Sequence, residues 1–149
     1  MWCARFGTPE YGGKVAKVRI VADYCGKGYQ LLENGETAGT FLIGAPLQER
    51  LCRWNERYEA HCDPLHYEDV SGAGFDFVAF AAEGLAIARA VKRRLPQWTV
   101  TYWDEALDWY LSRDPRTYDP TRAEYEITLR DAFTDTTLRS QGGAGGLPR

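Results

Sequence analysis

Acidic and aromatic side chains meet at two places in this sequence, Ala22-Asp23-Tyr24 and Tyr102-Trp103-Asp104-Glu105. Each closes a run in which apolar and polar residues alternate, the pattern of a β-strand with one buried face. With the two strands as parallel neighbours, both carboxyl ends fall on one rim of the sheet, the edge where open sheets bind ligands. Carboxylates there attract a cation or a basic side chain, and the rings beside them supply anchors. Asp23, Tyr24, Trp103, Asp104 and Glu105 are therefore the expected contact set. The same residues also have structural uses. Asp104 can cap a following helix, Glu105 suits its first turn, and Tyr24 and Trp103 can finish the core.

Other residues of reactive type lack the spacing their chemistry needs. His61, Cys62, Asp63 and His66 are donors that zinc accepts. No Cys-x-x-Cys or His-Glu-x-x-His pattern accompanies them, so a polar loop without metal or cofactor is expected. Cys25-Gly26-Lys27-Gly28 follows a strand but lacks the spacing and hydroxyl of a phosphate loop. A tight turn accounts for it, and no histidine can be assigned to Cys25 as a base. No catalytic set emerges. The run Arg89, Lys92, Arg93, Arg94 covers barely one helical turn and reads as a solvated helix end.

The balance of 18 basic against 21 acidic residues, a net charge of −3, argues against a nucleic-acid-binding role. It is compatible with a basic protein partner. At 149 residues with 44% hydrophobic content, one domain is expected, and such a chain buries roughly 70% of its extended surface without a metal or disulfide. The absence of a long apolar run predicts no membrane span. The N-terminal residues lack the apolar stretch of a secretory signal, so a cytoplasmic location with reduced cysteines is expected.

The elements that must position the rim follow from periodicity. Residues 15–24 alternate as a strand, with Val18, Ile20, Ala22 and Tyr24 on one face and Lys17, Arg19 and Asp23 on the other. Tyr29 to Leu32 forms a second strand, ended by Asn34-Gly35. A helix from Pro46 to about Ala60 carries Leu47, Leu51, Trp54 and Tyr58 on one stripe. The clearest helix spans 76–95, with Phe77, Phe80, Ala81, Gly84, Ala88, Val91 and Leu95 on its apolar face. Asp76 caps it, and Phe75 with Phe80 can form a hydrophobic staple. Trp98 to Trp103 is a strand, Asp104 caps a short helix to about Leu111, and 124–129 is a final strand with Tyr125, Ile127 and Leu129 inward. The small residues Ala79, Ala82, Ala86 and Ala90 on the back of the long helix would let a second subunit approach. Residues 1–13 read as a loose leader, 14–133 as one domain, and 134–149 as a glycine-rich disordered tail. The expected fold class is α+β: a two-layer sandwich, a mixed sheet of about four strands with helices packed on one face.

The strand Val18-Arg19-Ile20-Val21-Ala22-Asp23-Tyr24, the helix centre Phe80-Ala81-Ala82-Glu83-Gly84-Leu85 and Trp98-Thr99-Val100-Thr101-Tyr102-Trp103-Asp104-Glu105 resemble a family of small, functionally uncharacterised bacterial proteins. In that family a strand ending Ala-Asp-Tyr precedes two helices and a closing strand. The resemblance covers roughly residues 15–105, implies a bacterial cytosolic origin, and carries over no catalytic residue. Acidity, aromatic richness and the missing catalytic set together predict a non-enzymatic protein-binding domain, by analogy an immunity, antitoxin or regulatory protein. The alternative is a small enzyme or ligand-binding domain with an acidic-aromatic pocket on the same rim.

Overall fold

The computed structural model describes residues 16–32, 43–61 and 75–134. The expected leader, the expected tail beyond Thr134, the Asn34-Gly35 turn, and Cys62, Asp63 and His66 lie outside these residues.

The sheet has four strands: β1 (Lys17–Ile20), β2 (Tyr29–Leu31), β3 (Thr99–Trp103) and β4 (Glu124–Glu126), in the order β2-β1-β3-β4. β1 and β3 run parallel, with Val18 opposite Val100 and Ile20 opposite Tyr102. β2 and β4 pair antiparallel at the two edges. Parallel neighbours require a crossover, and it contains the two long helices, α1 (Ala45–His61) and α2 (Phe77–Arg94). Two short helices follow β3: α3 (Glu105–Leu111) directly, and α4 (Leu129–Phe133) after a 3-10 turn at Pro120–Ala123 and β4. This is the mixed α+β sandwich that the periodicities predict.

Alternation sorts the strands as expected. Val18, Ile20, Val100 and Tyr102 enter one core with Leu51, Trp54, Phe80, Ile87, Ala88 and Val91. The other face carries Lys17, Arg19, Thr99, Thr101, Trp103, Glu124 and Glu126, and it is less wet than its composition suggests. Arg19 donates twice to Glu124, at 3.0 and 2.7 Å, and once to Gln30 at 3.2 Å, strapping β2, β1 and β4 across that face. Thr101, between Arg19 and β4, is buried.

The helix layer is joined to the sheet at Gly84. Trp54 of α1 donates its Nε1–H to the Phe80 carbonyl at 2.9 Å, and Tyr102 of β3 donates its hydroxyl to the Ala81 carbonyl at 2.8 Å. Both rings lie against the bare Cα of Gly84, where a Cβ would meet Trp54 Cζ2 and Tyr102 Oη at 2.5 Å each. Trp54 also stacks on Phe80 at 4.7 Å. At the start of α2, Asp76 accepts from the Ala79 N–H at 2.9 Å, and Phe75 meets Phe80 at 5.2 Å as the expected staple.

Three sequence expectations need correction. The basic end of α2 is a solvated helix end only in part: Arg93 and Arg94 are exposed as expected, but Lys92 is not, and all three also hold backbone carbonyls. Lys92 is buried and donates to the Trp98 carbonyl at 2.6 Å, Arg93 to the Ala132 carbonyl at 2.6 Å, and Arg94 to the Ile43 carbonyl at 3.1 Å. Three chain segments converge on that helix end, and their carbonyls hold the cations. The last strand stops at Glu126 instead of continuing to residue 129, because Thr128 starts α4 in a reciprocal capping box with Asp131. Ile127 still enters the core, while Leu129 is exposed and Tyr125 only part-covered at the sheet edge. The first strand ends at Ile20 instead of Tyr24, for a reason that belongs to the rim. Of the alanine stripe, Ala79 and Ala82 are exposed and Ala86 and Ala90 half-buried.

Gly84→Ala separates two opposed effects. Helix propensity alone would stabilise the variant by about 1 kcal/mol, whereas overpacking at the Trp54–Tyr102 contact costs roughly 1–3 kcal/mol. Urea unfolding is expected to show a lower midpoint for the variant; a higher one contradicts the contact.

Candidate functional site

The parallel pairing of β1 with β3 brings the two acidic strand ends to one rim of the sheet. Each arrives by a different local device.

At the β1 end, the chain leaves the sheet because Asn55 of α1 captures its backbone. Asn55, only 2% exposed, accepts from the Asp23 N–H at 2.9 Å and donates to the carbonyls of Asp23 at 3.2 Å and Gly26 at 3.0 Å. The Gly26 N–H closes the turn onto the Asp23 carbonyl at 3.1 Å. Cys25 sits at φ 60, the left-handed conformation that such turns usually give to glycine and that costs roughly 1–2 kcal/mol elsewhere. A Cβ on Gly26 would lie 2.8 Å from that of Asp23. The backbone of Asp23 is thus fixed from three sides while its side chain stays exposed.

At the β3 end, Asp104 caps α3 as expected, accepting from the Leu107 N–H at 3.0 Å. Its other oxygen accepts from the Tyr125 hydroxyl at 3.4 Å, across the β3–β4 pairing. One helical turn on, Asp108 accepts from the Tyr118 hydroxyl at 2.7 Å. Glu105 differs from both. It is only 8% exposed, and no hydrogen bond reaches its carboxyl from the described residues. Burial, reinforced by the charges of Asp108, Asp104 and Asp23, pushes its pKa up to about 8. Burial and then Asp104 push Tyr125 up to about 12.

Of the five residues expected at the rim, Asp23, Asp104 and Glu105 are electrostatically coupled. Tyr24 is 51% exposed in the turn. Trp103, alternating with Tyr102, points to the polar face opposite, where it pairs with Glu124 in register. Sequence reasoning missed Asn55, Asp108, Tyr118 and Tyr125. Asp108 carried a signal, since it lies on the same helix side as Asp104. Tyr118 returns through a loop and gave none.

Among the described residues, no ion pair reaches Asp23, Asp104, Glu105 or Asp108, although Glu49, Glu83, Asp114 and Glu124 all have arginine partners. No grouping of described His, Cys, Asp and Glu side chains could hold a metal ion. His61, the described member of the run His61, Cys62, Asp63 and His66, stacks on Phe75 at 4.3 Å. Cys25 and Cys52 are free thiols. Two surface concavities, about 750 Å³ along α1 beside Arg50 and Arg53 and about 360 Å³ between Phe77 and Trp109, are lined by none of the five expected residues.

Fold and rim together define a two-layer α+β domain with an acidic edge that no ion pair among the described residues neutralises. No protein-family model, no curated protein and no solved structure matches the chain. No helix among the described residues is long and apolar enough to cross a membrane.

Two predictions come from this geometry. Asn55→Ala removes three hydrogen bonds to the turn and is expected to cost roughly 2–4 kcal/mol, at about 1 kcal/mol each plus the unmet backbone groups; amide exchange at Asp23 and Gly26 should quicken beyond that global loss. Glu105 also makes stability depend on pH. Its folded pKa, about 8, lies above the ordinary carboxyl value, so the folded state holds the extra proton. The stability contribution is full at acid pH and is lost as pH rises from about 4 to about 8, with a slope approaching 1.4 kcal/mol per pH unit. Glu105→Gln should flatten that slope and be more stable than the native chain at pH 9.

Proposed function

We propose that this chain is a non-enzymatic protein-binding domain whose acidic rim receives a basic surface of another protein. The observation that carries the reading is the set of four carboxyl groups, Asp23, Asp104, Glu105 and Asp108, none of which has an ion-pair partner among the described residues; Arg89 of α2 acts on the neighbouring Tyr125 but pairs with none of them. Packing a like-charged group together destabilises a fold unless an outside charge compensates it, and complementary potentials speed and orient association. Two exposed rings at the same edge, Tyr24 beside Asp23 and Tyr118 on Asp108, are of a residue type that anchors protein interfaces. An immunity, antitoxin or regulatory protein of a bacterial cytoplasm fits such a surface.

The second reading, a small enzyme or ligand-binding domain, is favoured by one feature: the raised pKa of Glu105, a property of many general acids. The lining of the two described concavities speaks against it.

Capture experiments with the full chain decide between them. A basic protein is expected to be held at low salt and released as salt rises. Asp23→Asn with Asp108→Asn should weaken its retention at least tenfold, roughly 1.4 kcal/mol. Equal retention by that variant, or no specific partner at low salt, contradicts the reading.

A further inference from the structure

The outward side of α1 is exposed from Pro46 through Arg53 to Ala60, and a concavity of about 750 Å³ runs along it with Glu83 of α2 in its lining. Charge on this side is sorted by sign. At about 100° per residue, Glu49 and Glu56 form a row about 40–60° to one side of Arg53, and Arg50 and Arg57 form a row as far to the other. Each row repeats with heptad spacing, as the flanks of paired helices do. Within the chain this order leaves charge unanswered. Arg53 pairs with Glu49 at 3.3 Å and Arg50 with Glu83 at 2.7 Å. Neither Glu56 nor Arg57 has an ion-pair partner among the described residues, and Arg57 acts on Glu83 only through space. A helix laced for solvent sets Glu one turn before Lys or Arg. Here Glu56 precedes Ala60 by one turn, and Arg57 follows Arg53, a like-charged pair that weakens an isolated helix.

We propose that this face of α1 is a dimer interface, on which a second copy of the chain packs its own α1 in parallel about a twofold axis along the helix. That axis sets the acidic row of each copy against the basic row of the other. Glu49 meets the partner's Arg50 and Glu56 meets the partner's Arg57, each pairing occurring twice as a twofold contact requires. The antiparallel arrangement would set Glu56 near the partner's Glu49 and Arg57 near the partner's Arg50, so repulsion between like charges selects the parallel one. Pro46 and Ala60 on the central line are small enough for the backbones to approach. Arg53 between them is already paired with its own Glu49, and its stem covers apolar surface. The interface is separate from the acidic rim, because Asn55, which holds the Asp23 turn, points to the buried side of the same helix. Exposed ion pairs each contribute little, so the dimer is weak, reversible and sensitive to salt.

The test is sedimentation equilibrium of the full chain at about 0.1 M and about 1 M salt, between which the screening length falls from about 10 to about 3 Å. A monomer–dimer equilibrium is expected, with a Kd roughly tenfold higher or more at the higher salt. Glu56→Arg brings like charges together at both symmetric contacts and should weaken the dimer by roughly tenfold or more, and Arg57→Glu should do the same. Mixed one to one, the two single variants should associate with each other, because a wholly basic pair then meets a wholly acidic one. The double variant Glu56→Arg with Arg57→Glu should dimerise as the native chain does. Recovery in the mixture also shows that each single variant is folded. A native chain that stays monomeric at the lower salt up to about 1 mM, the range of weak contacts, overturns the proposal. Single variants that dimerise like the native chain, or that fail to associate when mixed, overturn it too and move any dimer to another face. Tighter association of Glu56→Arg alone overturns the parallel arrangement, since only antiparallel helices gain from that change.

Discussion

The absence of a side chain at Gly84 is the constraint from which the rest of the structure follows. It lets Trp54 and Tyr102 reach the carbonyls of Phe80 and Ala81, so α1 and β3 are both held by the same turn of α2. Each of these rings is followed in sequence by a residue of the rim. Asn55 comes directly after Trp54 and fixes the turn that presents Asp23. Asp104 and Glu105 come just after Tyr102. One close contact in the core therefore sets the relative position of the two acidic strand ends.

The rim carries an electrostatic cost that the fold meets locally. Asp104 and Asp108 are held as acceptors of helix N–H and tyrosine hydroxyl donors, and Asp23 remains solvated. Glu105 is largely buried and keeps its proton to higher pH. Elsewhere on the molecule charge is arranged differently. Arg19 straps the polar sheet face through Glu124 and Gln30, and the basic end of α2 is spent on backbone carbonyls. These cations are thus engaged structurally, whereas no ion pair among the described residues reaches Asp23, Asp104, Glu105 or Asp108.

Much of this is legible in the amino-acid sequence. The period of Val18 and Ile20, and of Val100 and Tyr102, predicts the two central strands, and the stripes on α1 and α2 predict which sides they bury. Side-by-side parallel strands were the condition for a shared rim, and β1 and β3 meet it. What escaped was non-local. Nothing around Asn55 announces that it would bind a turn far away in sequence, and alternation continues on paper through Tyr24 after the backbone has been pulled from the sheet. Lys92 reads as solvent-facing because composition cannot show that the fold buries it and brings the Trp98 carbonyl to its ammonium group. Trp103 lies beside the acids in sequence, but strand alternation turns it to the other face.

The account stands on Glu105 being buried among carboxylates in a rim held rigid by the core. Its side-chain carboxyl, followed by carbon-13 NMR in the ligand-free chain, reports that state directly. The account predicts a titration midpoint near 8. A midpoint between about 4 and 5, the range of a solvated glutamate, would contradict it.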